Sequence, residues 1–379
     1  MNEVVIVEAI RSPIAKRNGG LKDIRPDDLL ADVLKGLVER ANLDAALIED
    51  VVVGCVSQVS EQAGNIARTA SLIAGFPINV PGTTLDRQCG SSQQALHFAS
   101  QAIQTGDMDI VIAAGVESMS RVPMFSSLQG AKFSPKLFEK YEIINQGESA
   151  ERIAEKWKLT RDELDLFAFT SHQKAIKAIK EGKFNDEILP IQVTGGETFH
   201  VDEVPREDTT LEVLAKLKSS FRENGLIHPG NSSAISDGAS AVLLMSMKKA
   251  EELNIKPRFK VVAKTVVGSD PTLMLTGVIP ATEKVLEKAG LTIDDIDHFE
   301  VNEAFAPVVS AWQKETGAPI EKINPNGGAI ALGHPLGASG TRLFTTMMYE
   351  MERTNAKFGL VTMCEGQGMA NATIIEKLD

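Results

Sequence analysis

The chain has 379 residues, too many for one hydrophobic core and enough for two or three domains. Apolar residues make up 43% and charged residues 24%, which excludes a disordered chain. With 39 Lys and Arg against 51 Asp and Glu, the net charge of −12 argues against nucleic acid or an anionic membrane surface as partner.

The opening MNEVVIVEAIRSP lacks a basic segment followed by an apolar run and a cleavage site, so no secretory signal is expected. No apolar run reaches the ~18 residues of a membrane span. Val4–Val7 reads as a first strand, and Pro26 and Asp27 then open a helical stretch, DLLADVLKGLVERA. A strand at Val51–Val53, a helix from about Ser91 to Gln104 and a strand at Ile110–Ala114 follow. Residues of roughly 120–225 carry more charge, with helical runs such as DELDLFAFTSHQKAIKAIKEG and a loop at Gly195 and Gly196. This stretch reads as a surface insertion, or as a lid or binding loop on a rigid scaffold. In the last third the early order returns: a helix after Pro280, the strand in HFEVNE, a helix from about Ala338, and the strand Gly359–Met363.

One offset relates the two copies. Leu43 matches Leu291 (291 − 43 = 248), Val53 matches Val301, Val116 matches Cys364, and Glu117 matches Glu365. The alternation of strands and helices predicts an α/β fold made of two similar layered halves about a pseudo-two-fold axis. The first half is expected over residues 1–252, including the inserted loop domain at about 120–225, and the second over residues 253–379.

Three cysteines without CxxC spacing, Cys55, Cys89 and Cys364, exclude a disulfide scaffold and a zinc ribbon and fit a cytoplasmic protein. Cys89, in DRQCGSSQQALHFASQAI, stands at or just before a helix N-terminus, where free N–H groups and the macrodipole favour a thiolate. Taken alone it also reads as a buried structural cysteine at a helix start. His334, in NPNGGAIALGHPLGASGTR, is held in a glycine-rich loop and is a candidate general base, or a structural histidine. Cys364 ends the strand GLVTM and begins CEGQGMA, and Asn302 and Glu303 follow the strand at Phe299–Val301, at the end of a sheet where sites gather. Asn302 also reads as a helix cap. Cys55 after VVVG reads as a packed small side chain, and His97 as a packed or surface one. His172, His200 and His298 have no supporting neighbours.

Together these windows resemble the thiolase family from end to end: VVIVEAIRSPI, QCGSSQQA, AAGVESMS, VPREDTTLEVLAKLKSSF, NSSAISDGASA, VNEAFAP, GGAIALGHPLGASG and MCEGQGMANA. The resemblance implies that Cys89 takes up an acyl group as a thioester, that His334 activates it, and that Cys364 moves the proton on the α-carbon of the other acyl-CoA. Asn302 matches an asparagine that holds a water, which with His334 forms one oxyanion hole. The backbone N–H groups of Cys89 and Gly366 form the other. Ser233 matches a serine near the pantetheine arm of CoA, and residues 120–225 match the family's CoA-binding loop domain. Three windows depart from the family pattern. Asn145-Gln146 stand where His-Met is frequent, His228-Pro229-Gly230-Asn231 replaces TAGN, and Gln367 replaces a glycine.

The resemblance implies an acetyl-CoA C-acetyltransferase, interconverting two acetyl-CoA with acetoacetyl-CoA and CoA by ping-pong acyl transfer and Claisen condensation. The alternatives are a degradative 3-ketoacyl-CoA thiolase for longer chains, and a catalytically silent CoA- or lipid-binding relative. A beta-ketoacyl synthase shares the scaffold but commonly pairs its cysteine with two histidines, where this chain has Asn302 and Cys364. No cofactor or metal is expected, since CoA thioesters are the substrates, and the assembly implied is a homodimer or homotetramer. If Gln146 is buried at the acyl pocket, its unpaired amide cancels the gain from two or three methylenes, at about 0.8 kcal/mol each. Acetoacetyl-CoA is then expected to be cleaved at least as efficiently as 3-ketodecanoyl-CoA.

Overall fold

Strands and helices alternate along the chain in a computed structural model that describes residues 2–379. The strands are β1 (Val4–Arg11), β2 (Ala15–Lys16), β3 (Asp50–Gly54), β4 (Thr83–Leu85), β5 (Ile110–Ser118), β6 (Ile191–Gln192), β7 (Thr198–Phe199), β8 (Ser236–Ser246), β9 (Phe259–Gly268), β10 (His298–Val301), β11 (Phe358–Glu365) and β12 (Met369–Lys377). Ten of them form one sheet in the order β10-β11-β12-β9-β1-β8-β5-β3-β4, with β2 also on β8.

Read outward from the centre, β1-β8-β5-β3 on one side mirrors β9-β12-β11-β10 on the other. In each half the outer pair (β5-β3, β11-β10) is parallel and the two inner pairs are antiparallel. Even the register is duplicated: Val51 faces Ile112 in one half and Phe299 faces Leu360 in the other, each 248 residues on. Two paired positions, Val5 with Lys260 and Ile6 with Phe259, join the halves into a continuous sheet.

Side chains alternate across each strand, which sorts them into layers. Val51 and Val53 join an outer core with the Pro26–Arg40 and Ile66–Ile73 helices, while Val52 points the other way. That other face is a middle layer made by two helices, Ser91–Thr105 and Ser339–Thr354, one from each half (339 − 91 = 248). Leu96, Phe344 and Met347 are wholly buried there. Each such side chain contributes about 1.5–3 kcal/mol relative to exposure. The second half builds the matching outer core on its Val278–Ala289 and Ala306–Thr316 helices. Helices thus form the outermost and middle layers with sheet between them, the duplicated layered architecture expected.

The insertion between β5 and β8 carries the Gln146–Lys156 and Arg161–Lys180 helices. The second is closed by a Thr160/Glu163 capping box. Gly195 and Gly196 turn the small β6-β7 ribbon at φ of +103° and +83°. Although it belongs to the first half in sequence, this insertion buries Ala150, Ile153, Leu164 and Ala168 in the core of the second half.

Glu117, at the end of β5, shows how the halves are locked. Its buried carboxylate accepts from the N–H groups of Val56, Ser57 and Gly337 and from the Gln62 amide. Glu117→Ala leaves three backbone N–H groups without an acceptor, those of Val56, Ser57 and Gly337, at about 1–3 kcal/mol for each group left unmade. Urea unfolding should report a loss of at least about 3 kcal/mol. A loss below about 1 kcal/mol contradicts this role.

Candidate active site

Cys89 sits in a tight turn just ahead of the Ser91–Thr105 helix, whose N-cap is Gly90. Gln88 adopts a left-handed φ of +48°, unusual for a residue with a side chain. Hydrogen bonds hold it there: Gln88 N–H donates to Asp86 Oδ1 at 2.7 Å, and Ser91 Oγ donates to the Gln88 carbonyl at 2.6 Å. Ser91 and Ser92 therefore serve the turn and the helix contact, Ser92 Oγ accepting from Thr341 N–H. The Glu365 carboxyl packs directly against this turn, since a Cβ on Gly90 would lie 2.0 Å from Glu365 Oε1.

The helix start favours a thiolate, yet Cys89 is only 6% exposed and burial pushes its thiol well above the usual range. Its neighbours Cys364 and Glu365 push the same way. Desolvation outweighs the dipole, so the resting group is a thiol, contrary to the expectation from the helix start. Cys364, fully buried near the end of β11, is likewise raised, to about 12, by burial and then by Glu365.

His334 follows Gly333, whose φ of +94° and close approach to Ser236 leave no room for a side chain. Its backbone N–H donates to the Ala234 carbonyl at 3.0 Å. Nδ1 lies 2.6 Å from Ser339 Oγ, and that hydroxyl donates to the Pro335 carbonyl at 2.8 Å. The network assigns the ring proton to Nδ1 and leaves a lone pair on Nε2. Burial first, and Arg342 second, lower the imidazole to about 3, so it is neutral. The Asn302 amide nitrogen lies 3.5 Å from Nε2, and Asn302 Oδ1 has no protein partner among the described residues.

Asn302 and Glu303, adjacent in sequence, divide the work. Glu303 accepts from Asn324, Ser171 and the Ile330 N–H, and so pins the glycine-rich loop that carries His334. Asn302 faces His334 instead of capping a helix, because the Ala306–Thr316 helix begins further on.

Cys89, Gly366 and Gln146 line one cleft of about 330 Å³. Its walls are largely apolar, with Met124, Phe125, Phe133, Met274 and Leu336. Gln146 opens the Gln146–Lys156 helix behind its Asn145 cap, so the departure at Asn145 is a capping choice. A Cβ on Gly366 would lie 3.4 Å from the Gln146 amide nitrogen and 3.2 Å from Gln88 Oε1. The N–H groups of Cys89 and Gly366 donate to no protein acceptor among the described residues.

Ser233 is not brought into this cleft. Its N–H donates to the Ala304 carbonyl, which ties its loop behind Asn302. In the departure beside it, His228 accepts from Gly230 N–H at Nδ1 and donates through Nε2 to Asp165 at 2.6 Å, a buried loop brace. Cys55 packs in the first outer core, and His97 bonds Thr373 Oγ1 at 2.7 Å. Sequence reading missed Glu365 as a member of the site. Its one signal was the match to Glu117 across the repeat. No three His, Cys, Asp or Glu come together as a metal site among the described residues, and no helix there is long and apolar enough to cross a membrane.

Comparison with known proteins agrees with this architecture. The family profile for the thiolase N-terminal domain matches residues 4–248, and that for the thiolase C-terminal domain matches residues 255–377. The chain is 48% identical to a steroid 3-ketoacyl-CoA thiolase, FadA6, of Mycobacterium tuberculosis, over all of this chain and 95% of that one. It is 49% identical to a 3-ketoacyl-CoA thiolase of Aliivibrio salmonicida over the whole of both. Among solved structures, the Bacillus anthracis acetyl-CoA acetyltransferase superposes with a TM-score of 0.93 at 39% identity, covering 100% of this chain and 99% of that one.

Proposed function

The chain belongs to the thiolase family, and we propose that it moves acyl groups between CoA and Cys89 in two half-reactions. The observation that carries this reading is the set of unpaired groups at one cleft, the Cys89 thiol and the N–H groups of Cys89 and Gly366, walled by Leu336 from the loop that holds the neutral His334 with a free Nε2 lone pair.

In thiolysis, Cys89 Sγ attacks the 3-keto carbonyl of a 3-ketoacyl-CoA and its proton passes to His334 Nε2. The oxygen that gains charge is met by the N–H groups of Cys89 and Gly366. One such donor typically contributes about 3 kcal/mol to the transition state. The bond between the α- and β-carbons then breaks, and Cys364 gives its proton to the departing acetyl-CoA carbanion. A thiol held up to about 12 rests protonated, which suits this donation. CoA then attacks the acyl-Cys89 thioester, its thiol proton restores Cys364, and the Cys89 thiolate leaves and recovers the proton held by His334. Condensation is the same path reversed. A thiolate is both nucleophile and leaving group, as transfer in two halves requires.

The Nδ1 proton makes Nε2 an acceptor in the resting enzyme. His334 therefore donates to an oxyanion only while it holds the proton from Cys89, together with a water on Asn302. Ser233, by resemblance, serves the pantetheine arm.

The smallest case of this chemistry is two acetyl-CoA to acetoacetyl-CoA and CoA. The apolar cleft walls favour longer 3-ketoacyl chains as well. Gln146 lines the cleft but is only half-buried, so solvent reaches its amide and the burial cost expected from the sequence does not arise. Burying two methylenes against Met124 or Phe133 contributes about 1.6 kcal/mol, more than tenfold. We expect kcat/KM for 3-ketodecanoyl-CoA to exceed that for acetoacetyl-CoA by at least about tenfold, with Gln146→Met changing the ratio less than about threefold. A wild-type preference for acetoacetyl-CoA returns the reading to a dedicated acetyl-CoA acetyltransferase.

A further inference from the structure

The repeat places two glutamates in equivalent positions. Glu117 is the last residue but one of β5 and Glu365 is the last of β11, and 365 − 117 = 248. By strand alternation both face the middle layer, each at the start of the helix supplied by the other half. The residue equivalent to Cys89 is Gly337 (337 − 89 = 248), and Gly337 N–H donates to Glu117 at 2.9 Å. In that copy the carboxylate caps the helix start.

The catalytic copy lacks this bond. Glu365 is fully buried, and neither of its carboxyl oxygens has a protein partner among the described residues. The Cys89 N–H, equivalent to that of Gly337, is free as well. The carboxyl is packed against Gly90, the residue after Cys89, with Asn371 of β12 alongside. The ionisable groups around it are Arg87 and Asp86 in the Cys89 turn, Cys89 itself, and Cys364 on its own strand. Asn371 is uncharged. Packed over the turn that carries Cys89 and next to Cys364 in sequence, this carboxyl has no protein donor among the described residues.

We propose that Glu365 is a positioning residue for the acylation step: uncharged, it leaves the Cys89 N–H to the thioester oxygen, and ionised, it opposes the Cys89 thiolate and competes for that N–H as Glu117 does for Gly337. Burial holds its carboxyl up at about 8, with Asp86 adding to the effect and Arg87 opposing it. The change of state therefore falls at the edge of the neutral range. Below it the acid is neutral and acylation is unhindered. Above it the carboxylate forms and the rise in thiolate with pH is blunted.

This inference rests on Cys89 as the acylated residue, but its test does not need turnover. The probe is iodoacetamide, with the rate followed on the Cys89 peptide from about pH 6 to about pH 10. In the wild type the rise of rate with pH should flatten above about pH 8. Glu365→Gln should keep rising and react about tenfold faster at about pH 9, the effect of one unit in the thiol pKa from a lost like charge. Glu365→Leu removes the same charge and should follow the same curve, so it carries the test if the Gln variant folds poorly. Superimposable profiles for the wild type and a folded variant overturn the proposal and leave the acyl-transfer reading standing.

Discussion

Cys89→Ala should lower kcat for thiolysis by about 10⁴-fold or more while leaving the fold intact, as expected when a covalent nucleophile is lost. The substitution removes one sulfur atom at a cleft wall, so the stability cost should stay near about 1 kcal/mol. No other thiol can stand in. Cys55 is packed in the first outer core, where burial and Glu117 raise its thiol. Cys364 is fully buried on β11. Single-turnover kinetics with a 3-ketoacyl-CoA and intact mass on the quenched protein measure both halves. Turnover within about tenfold of wild type, or a full acyl group on the variant, would remove Cys89 from the role assigned to it.

Cys364→Ala should separate the two halves of the reaction. In acetyl transfer from acetyl-CoA to Cys89, Cys364 only protonates the departing CoA, which can leave as a thiolate without that proton. Because the Cys364 thiol rests protonated and carries no charge against Cys89, its removal should leave acetylation within about threefold of wild type. Carbon–carbon bond formation and cleavage lose their proton carrier and should fall about 10³-fold, within the range for general acid–base groups. Rapid quench followed by mass measurement gives the first rate, and acetoacetyl-CoA formation gives the second. An equal fall in both would show that Cys364 supports the site as a whole instead of the second half-reaction.

Much of the fold was legible because duplication leaves a signal in spacing alone. The offset that pairs Val53 with Val301 also sets the sheet register, Val51 with Ile112 and Phe299 with Leu360. The junction of β1 and β9 was not legible, since it rests on two paired positions far apart in sequence. The docking of residues 120–225 on the second half was hidden for a similar reason. Its helices are amphipathic, and a pattern of apolar residues says that a face is buried, not against what.

At the site, residue types were readable and their balance was not. Cys89 at a helix start suggests a thiolate, but desolvation depends on what covers it, and burial reverses the sign. Asn302 and Glu303 looked alike as polar residues at a strand end. Their division into a partner for His334 and a brace for its loop depends on where Asn324 and Ser171 lie in space. Glu365 was visible as the match of Glu117. Only the hydrogen bonds that one makes and the other lacks set the two apart.

The central claim is that an acyl group passes through Cys89. The most direct measurement is to mix the wild-type protein with acetyl-CoA in the absence of free CoA, quench in acid, and map the modified peptide by mass spectrometry. One acetyl group per chain on the peptide carrying Cys89, removed on adding CoA, is the predicted result. No covalent acetyl group, or one carried on Cys55, Cys364 or a lysine, contradicts the account.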